Sequence, residues 1–493
     1  MTIFLRDRPT ASIAPALATL AALTALTALV GAASPASASA PGPPPAPGPI
    51  SAPLTGPAAS PAASLPTPAT FLAAPAASLP TPATFLAGLT TSPAEPAAYP
   101  SPAGLAAPSP AAPTHPASAH PASTSTPASA TLALPRPTGP HAVGRDTLFL
   151  TDRGRPDPWV PSAGARQLLV SLHYPARPGS GGAPAPYLTT EEARLMLAQR
   201  GLEGVVPPAA VAATRAHART DARPVRGRFP LVVLSPGFGT PRATLTGLAE
   251  DLASRGYVVA SLDHPYESTG TQLPDGRLLT CAACERVDAQ PDMAARNRVL
   301  AAVSTGRAAD VSFLLDRLTG PRPSWRYAGT IDPLRVGMAG HSIGGNAAAS
   351  TMAADRRVDA GINMDGTFFA PVPARGLGGR PFLMLGTDAG HRPGGEDGSW
   401  DTGWARLDGW KRWLTVRDSG HFTFTDTPVI GEQLGLEDPD VPLSGERSAA
   451  ITRAYAAAFF DRHLRGRTAP PRLLDGPSPL HPEVVFHQPR PRP

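Results

Sequence analysis

Eleven residues, Arg335 to Gly345 (RVGMAGHSIGG), restrict the possible fold more than any other stretch of this chain. Val336, Met338 and Ala339 predict a buried strand. Gly340 to Gly344 predict a tight turn with Ser342 at its centre, and Gly345, Ala347, Ala348 and Ala349 the small-residue start of a helix. A G-x-S-x-G turn between a strand and a helix is a nucleophile elbow, which lifts a serine hydroxyl to where a histidine reaches one side and a substrate the other. The glycines are needed because a Cβ at those positions would collide with the neighbouring strand and helix. Gly and Ser are common enough here for the five-residue pattern to arise by chance. The predicted strand before it and the Ala/Gly-rich helix after it give the pattern its meaning, with Ser342 as candidate nucleophile.

The rest of the composition is very uneven. Between Arg8 and Arg136 the only charged residue is Glu95, and Pro, Ala, Ser and Thr supply most of the segment. Such a stretch buries too little side-chain surface to offset its ordering entropy. The folded part is therefore expected from about Pro140, as one catalytic α/β domain over residues 141–493. At the N-terminus Arg6 and Arg8 precede an apolar run from Ile13 to Ala33 and a small-residue SPASASA, so residues 1–40 read as an export signal. Residues 41–140 read as a Pro/Ala/Ser/Thr-rich linker or stalk. Its tandem PAASLPTPATFLA copies, at Pro61 to Ala73 and Pro75 to Ala87, carry too much proline to stack a core. The export signal points to a secreted protein, with the stalk suited to contact with a cell wall or membrane surface. The net charge of +5 comes almost wholly from arginine, Lys411 being the only lysine. The arginines are mixed with acids and form no stripe with interleaved aromatics, which argues against nucleic-acid binding. Cys281 and Cys284 form a C-A-A-C, expected in an exported protein to be a local disulfide that pins a loop.

Along the folded part, Asp146 to Leu150 and Leu168 to Tyr174 predict strands, followed by an insertion from Pro175 to Arg228. Thr189 to Glu192 is a capping-box signature that starts a helix within it. The insertion reads equally as a cap over the site or as a surface excursion. Phe229 to Leu234, Tyr257 to Leu262, Val358 to Met364, Pro381 to Gly386 and Lys411 to Val416 predict further strands. Thr244 to Arg255, Met293 to Leu318 and Glu446 to Leu464 predict helices. This rhythm means a mostly parallel central sheet with right-handed crossovers and helices on both faces.

In this fold the triad partners follow the serine in the order acid, then histidine. His463 sits in an arginine-rich helix and His481 and His487 in the proline-rich tail. His421 alone follows a strand and a Ser-Gly turn, with His391, in a Gly/Pro loop, as the weaker rival. The acid is open between Asp365, after the first strand beyond the elbow, and Asp388, after the second, which is the more usual position. Two backbone N–H groups are needed to stabilise an oxyanion. Ile343, next to the serine, and Phe238, in SPGFGT after the Phe229 to Leu234 strand, are the candidates. Asp263, His264 and Glu267 combine metal-ligand residue types but read as a polar strand end that supports nearby loops, and no metal or cofactor is expected.

These residues resemble the platelet-activating factor acetylhydrolase-like lipases and esterases of the α/β-hydrolase superfamily, in particular the secreted actinobacterial members. The resemblance covers roughly Gly144 to Phe486. It is carried by LLVSLHYPA (Leu168 to Ala176), SPGFGT (Ser235 to Thr240), EDLASRGYVVASLDH (Glu250 to His264), AGHSIGG, GINMDG (Gly361 to Gly366) and SGHFTFTD (Ser419 to Asp426). It implies Ser342, Asp365 and His421 as the triad, with Phe238 and Ile343 as oxyanion donors. It also implies metal-independent hydrolysis of acyl esters of lipids or glycerophospholipids, often with short or oxidised acyl groups. An acyltransferase or a polyester or cutin hydrolase of the same fold is the alternative. The long leader and the Pro175 to Arg228 insertion depart from the family's core.

Overall fold

In the computed structural model, which describes residues 131–436, 438–467 and 472–488, ten strands form one sheet. The elements run in chain order β1 (Ala142–Pro156), β2 (Ala165–Ala176), α1 (Thr190–Gln199), α2 (Pro208–Ala212), β3 (Arg219–Thr220), β4 (Phe229–Ser235), α3 (Thr246–Ser254) and β5 (Val258–Asp263). A small hairpin of β6 (Thr271–Gln272) and β7 (Leu278–Leu279) follows, then α4 (Ala282–Asp288), α5 (Met293–Thr319), β8 (Ile331–His341), α6 (Ile343–Ala354), β9 (Ala360–Met364) and β10 (Phe382–Thr387). The chain continues through α7 (Asp388–His391), α8 (Gly398–Arg406), β11 (Lys411–Val416), α9 (Thr427–Gln433), α10 (Gly445–Arg465) and β12 (Val484–His487). The expected export signal and the tandem repeats lie outside the described residues.

The sheet order is β12-β11-β10-β9-β8-β4-β5-β2-β1-β3. The run from β11 to β5 is parallel, flanked by antiparallel β12 on one side and β2 and β1 on the other. The unbroken apolar run of β4 follows from burial on both faces. Val232 and Leu234 pack with Leu248, Leu252, Tyr455 and Phe459 of α3 and α10, while Leu231 and Val233 pack with Val311, Leu314, Ala347 and Met352 of α5 and α6. Helices therefore cover both faces, as expected.

Two boundaries differ from expectation. Packing starts at the first described residues rather than near Pro140. Leu132 and Leu134 are buried against Met196 and Val211 of α1 and α2, with backbone hydrogen bonds to Arg215, and Arg453 donates to the carbonyls of Pro135 and Arg136. The Leu-x-Leu spacing within an otherwise featureless leader was the available signal. The second difference is the proline-rich tail: Val484 to His487 form a strand that closes the β11 edge. Pairing to an existing edge supplies the hydrogen bonds that so short a strand does not supply by itself.

Candidate active site

The register of the parallel strands sets the site. β8 ends with His341 opposite Met364 of β9, and Met364 lies opposite Leu385 of β10. Ser342 and Asp365 are therefore each the first residue beyond adjacent strands, and both leave their strands with left-handed backbone, φ 55° and 58°. The Ser342 N–H donates to the Met364 carbonyl at 2.8 Å, stitching the elbow to the acid's strand. Gly366 makes this close approach possible, since a Cβ there would lie 1.9 Å from the Ser342 carbonyl oxygen.

His421 begins a short 3₁₀ turn after β11. Its Nδ1 lies 2.7 Å from Asp365 Oδ2. Asp365 is buried whereas the His421 side chain is 47% exposed, and Ser342 is half-buried. A carboxylate only accepts hydrogen bonds, so Nδ1 carries the proton and Nε2 is left as the basic nitrogen. Burial opposes the Asp365 charge, but hydrogen bonds from His391 and His421 outweigh it and hold the carboxyl well below its usual range. Asp365 is thus an ionised partner for His421.

Asp388, the acid of the more usual position, does not reach His421. It accepts from the Thr415 hydroxyl at 2.6 Å, over β11. His391, the rival histidine, is buried in α7 with its Nδ1 2.7 Å from the other oxygen of the same aspartate, Asp365 Oδ1. Both of its nitrogens face carboxylates, the second being that of Asp397 at 3.2 Å, so it has no lone pair to take a proton from serine.

The SPGFGT loop packs directly on the elbow: a Cβ on Gly344 would meet the Ser235 carbonyl oxygen at 2.1 Å. The N–H groups of Phe238 and Ile343 donate to no hydrogen-bond partner among the described residues. The loop is held from beneath. Arg307 donates to the Pro236 carbonyl at 2.5 Å and to Glu267 at 2.7 Å, and the Gly239 N–H donates to the Glu267 carbonyl at 2.9 Å. His264 links Ser235 to Asp310, while Asp263 pairs with Arg242. The Asp263, His264 and Glu267 group therefore supports neighbouring loops through arginines.

Three contributors escaped the sequence reading. His341 Nε2 donates to the His421 carbonyl at 2.7 Å, and its ring stands 4.7 Å from the His421 ring. Burial and the neighbouring His421 push its pKa down to about 3, which keeps it neutral. Gln199 lies against Gly239, where a Cβ would meet its Nε2 at 2.7 Å, and Arg200 covers the Phe422 ring at 5.1 Å. The end of α1, which starts from the expected capping box at Thr189 and Glu192, thus lies beside the SPGFGT loop and the turn that carries His421. This settles the insertion as a border of the site. Cys281 and Cys284 form the expected disulfide, with Cys284 Sγ 3.7 Å from the position of a Gly239 Cβ.

Residues 128–273 match the family model described as platelet-activating factor acetylhydrolase, isoform II. The chain is also 30% identical over 389 residues to a probable 1-alkyl-2-acetylglycerophosphocholine esterase of Arthroderma benhamiae, an alignment that covers 72% of this chain and 94% of that one. The chain belongs to the platelet-activating factor acetylhydrolase family. A bovine platelet-activating factor acetylhydrolase is 24% identical over 294 residues, covering 51% of this chain and 60% of that protein. Among solved structures, a ferulic acid esterase from Streptomyces cinnamoneus matches with a TM-score of 0.64 and 45% identity, covering 73% of this chain and all of that one. Family and structural likeness agree that this α/β-hydrolase acts on carboxylic esters.

Proposed function

We propose that this esterase is an exported serine hydrolase that cleaves esters of compact acyl groups, short-acyl glycerophospholipids foremost, through an acyl-enzyme on Ser342. The observation that carries the reading is the Ser342 elbow beside an ionised Asp365 that holds the Nδ1 proton of an exposed His421. His421 Nε2 takes the Ser342 proton as the hydroxyl oxygen bonds to the ester carbonyl carbon. The Phe238 and Ile343 N–H groups then stabilise the oxyanion. Collapse of this intermediate breaks the ester C–O bond, and the proton on His421 passes to the departing alcohol. Water, activated by the same nitrogen, releases the acid and restores the serine.

The names of the relatives support compact acyl groups, acetyl in the Arthroderma protein and a phenolic acid in the Streptomyces structure. A feruloyl ester is the second reading, favoured by the 45% identity to that ferulic acid esterase. Export is supported by the N-terminal apolar run and by the Cys281–Cys284 disulfide, a bond that persists in oxidising compartments. The deciding experiment compares hydrolysis of phosphatidylcholines with sn-2 acetyl or palmitoyl chains and of methyl ferulate, with Ser342→Ala as control. Preference for the acetyl lipid supports the first reading, preference for methyl ferulate the second. Preference for the palmitoyl lipid excludes a compact acyl pocket.

A further inference from the structure

Outside the three proposed triad residues, the most unusual cluster in the molecule lies on the far side of Asp365. His391 is 8% exposed and lies with its Nδ1 2.7 Å from Asp365 Oδ1 and its Nε2 3.2 Å from Asp397 Oδ2. Its ring stacks on Trp400 at 4.3 Å between centroids, with 26° between the planes, and its carbonyl accepts from Trp413 Nε1 at 2.7 Å. Two carboxylates on two ring nitrogens need two N–H donors, and only an imidazolium has them. The tryptophan face suits a cation as well.

The surroundings agree. The titratable groups that face the ring are Asp365 from the end of β9 and Asp397 from the N-cap of α8, while β10 and β11 present Thr387 and Trp413. Asp388, on the same short helix, turns away to Thr415. Burial works against the charge on His391, but the hydrogen bonds to Asp365 and Asp397 outweigh it and hold the pKa up at about 9. Asp397 is in turn held down at about 2, where the bonds from His391 and Ser399 overcome its burial.

The two oxygens of Asp365 are treated unequally. Oδ1 accepts from His391, the Thr387 N–H at 2.7 Å and the Thr387 hydroxyl at 3.0 Å, whereas Oδ2 accepts from His421. We propose that His391, clamped between Asp365 and Asp397, is a positioning residue that locks the Asp365 carboxylate and weakens its pull on the His421 proton, thereby setting the pH at which the esterase becomes active. The inference rests on the Ser342, His421 and Asp365 reading above. A cation behind the carboxylate offsets part of the negative charge that favours an imidazolium at His421.

The test is the pH dependence of kcat/KM in the full-length protein carrying His391→Asn, which keeps a neutral N–H donor near the Nδ1 position but removes the charge. The acidic limb is expected to move up by about one pH unit, the size of a lost unit charge at an effective dielectric near 20. A folded His391→Asn protein whose kcat falls with an unmoved limb overturns the proposal, since that is the signature of packing alone. A second readout needs no change at His391: in Ser342→Ala, NMR titration of the imidazole signals should show His391 still doubly protonated at pH 8. Loss of its proton below the ordinary histidine range overturns the proposal. Asp365→Asn separates the layers. Full activity in that variant overturns both the triad and the His391 role, whereas lost activity with an unmoved His391→Asn limb overturns the latter alone.

Discussion

The molecule contains two Ser-His-Asp arrays. In one, Ser235 Oγ lies 3.0 Å from His264 Nε2, and His264 Nδ1 lies 2.8 Å from Asp310 Oδ2. In the other, His421 Nδ1 lies 2.7 Å from Asp365 Oδ2, and Ser342 leaves the strand adjacent to the one that ends at this aspartate. The pairings match atom for atom on the acid side, yet the surroundings are opposite. Ser235, His264 and Asp310 are almost completely buried, Arg307 donates to the Ser235 oxygen at 3.2 Å, and Arg166 donates to Asp310 at 2.8 Å. Ser342 sits on left-handed backbone at the surface end of the sheet, next to two N–H groups without partners among the described residues, and His421 opens to solvent. Solvent access and unpartnered N–H groups separate the two arrays, and they are the reason Ser342 rather than Ser235 is the proposed nucleophile.

The largest expected difference follows from this contrast. Ser342→Ala should lower ester hydrolysis by at least about 10⁴-fold and abolish labelling by a fluorophosphonate probe, while Ser235→Ala keeps turnover within a few-fold of the parent. Labelling at Ser235 would invert the assignment. The same logic separates the two candidate acids. Asp365→Asn should cost about 10⁴-fold in kcat, because an amide no longer enforces the Nδ1–H tautomer of His421. Asp388→Asn can keep the hydrogen bond from the Thr415 hydroxyl through its amide oxygen and should remain active in the same assay.

The buried array should fail through stability instead. Arg166→Met leaves Asp157, Glu267 and Asp310 without their shared guanidinium and is expected to cost about 3–5 kcal/mol in denaturant unfolding. The smallest effects are in pH. Asp365 and Asp310 are both depressed in the fold, each against its own burial, Asp365 by His391 and His421 and Asp310 by Arg166 and His264. Each therefore stabilises above the unfolded carboxylate range, and that contribution is lost as the pH falls. Burial and then Arg307 lower the pKa of His264, so its neutral form in the fold also begins to cost stability below 6.5. His391 has the opposite sign. Its folded pKa is raised, so its contribution is complete below 6.5 and fades as the pH rises through about 9. Thermal melts from about pH 4 to about pH 10 should therefore show an alkaline decline that His391→Asn removes, and an acid decline that it leaves largely in place.

The geometry of the elbow, the strand that precedes it and the turns that carry Phe238 and His421 were legible because each depends on local constraints: a glycine pattern, an apolar run, a turn after a strand. The choice between Asp365 and Asp388 was not legible from spacing, since both follow strands in the same sense. Resemblance to the family pointed to Asp365, and the register that stitches Ser342 N–H to Met364 brings it to His421. His391 looked like a loop histidine because its partners are Asp365, 26 residues earlier, and a tryptophan on the following helix. The His341 contact to the His421 carbonyl spans 80 residues and carried no local signal.

Sequence alone thus determined the α/β layering, the serine on its strained turn and the order in which its partners must come, since these follow from periodicity and backbone sterics within a few residues. Only the tertiary structure decided which aspartate meets His421, which Ser-His-Asp array reaches solvent, and that a second histidine backs the acid. Those outcomes depend on strand register and on charges brought together from distant segments, where burial sets the strength of each interaction.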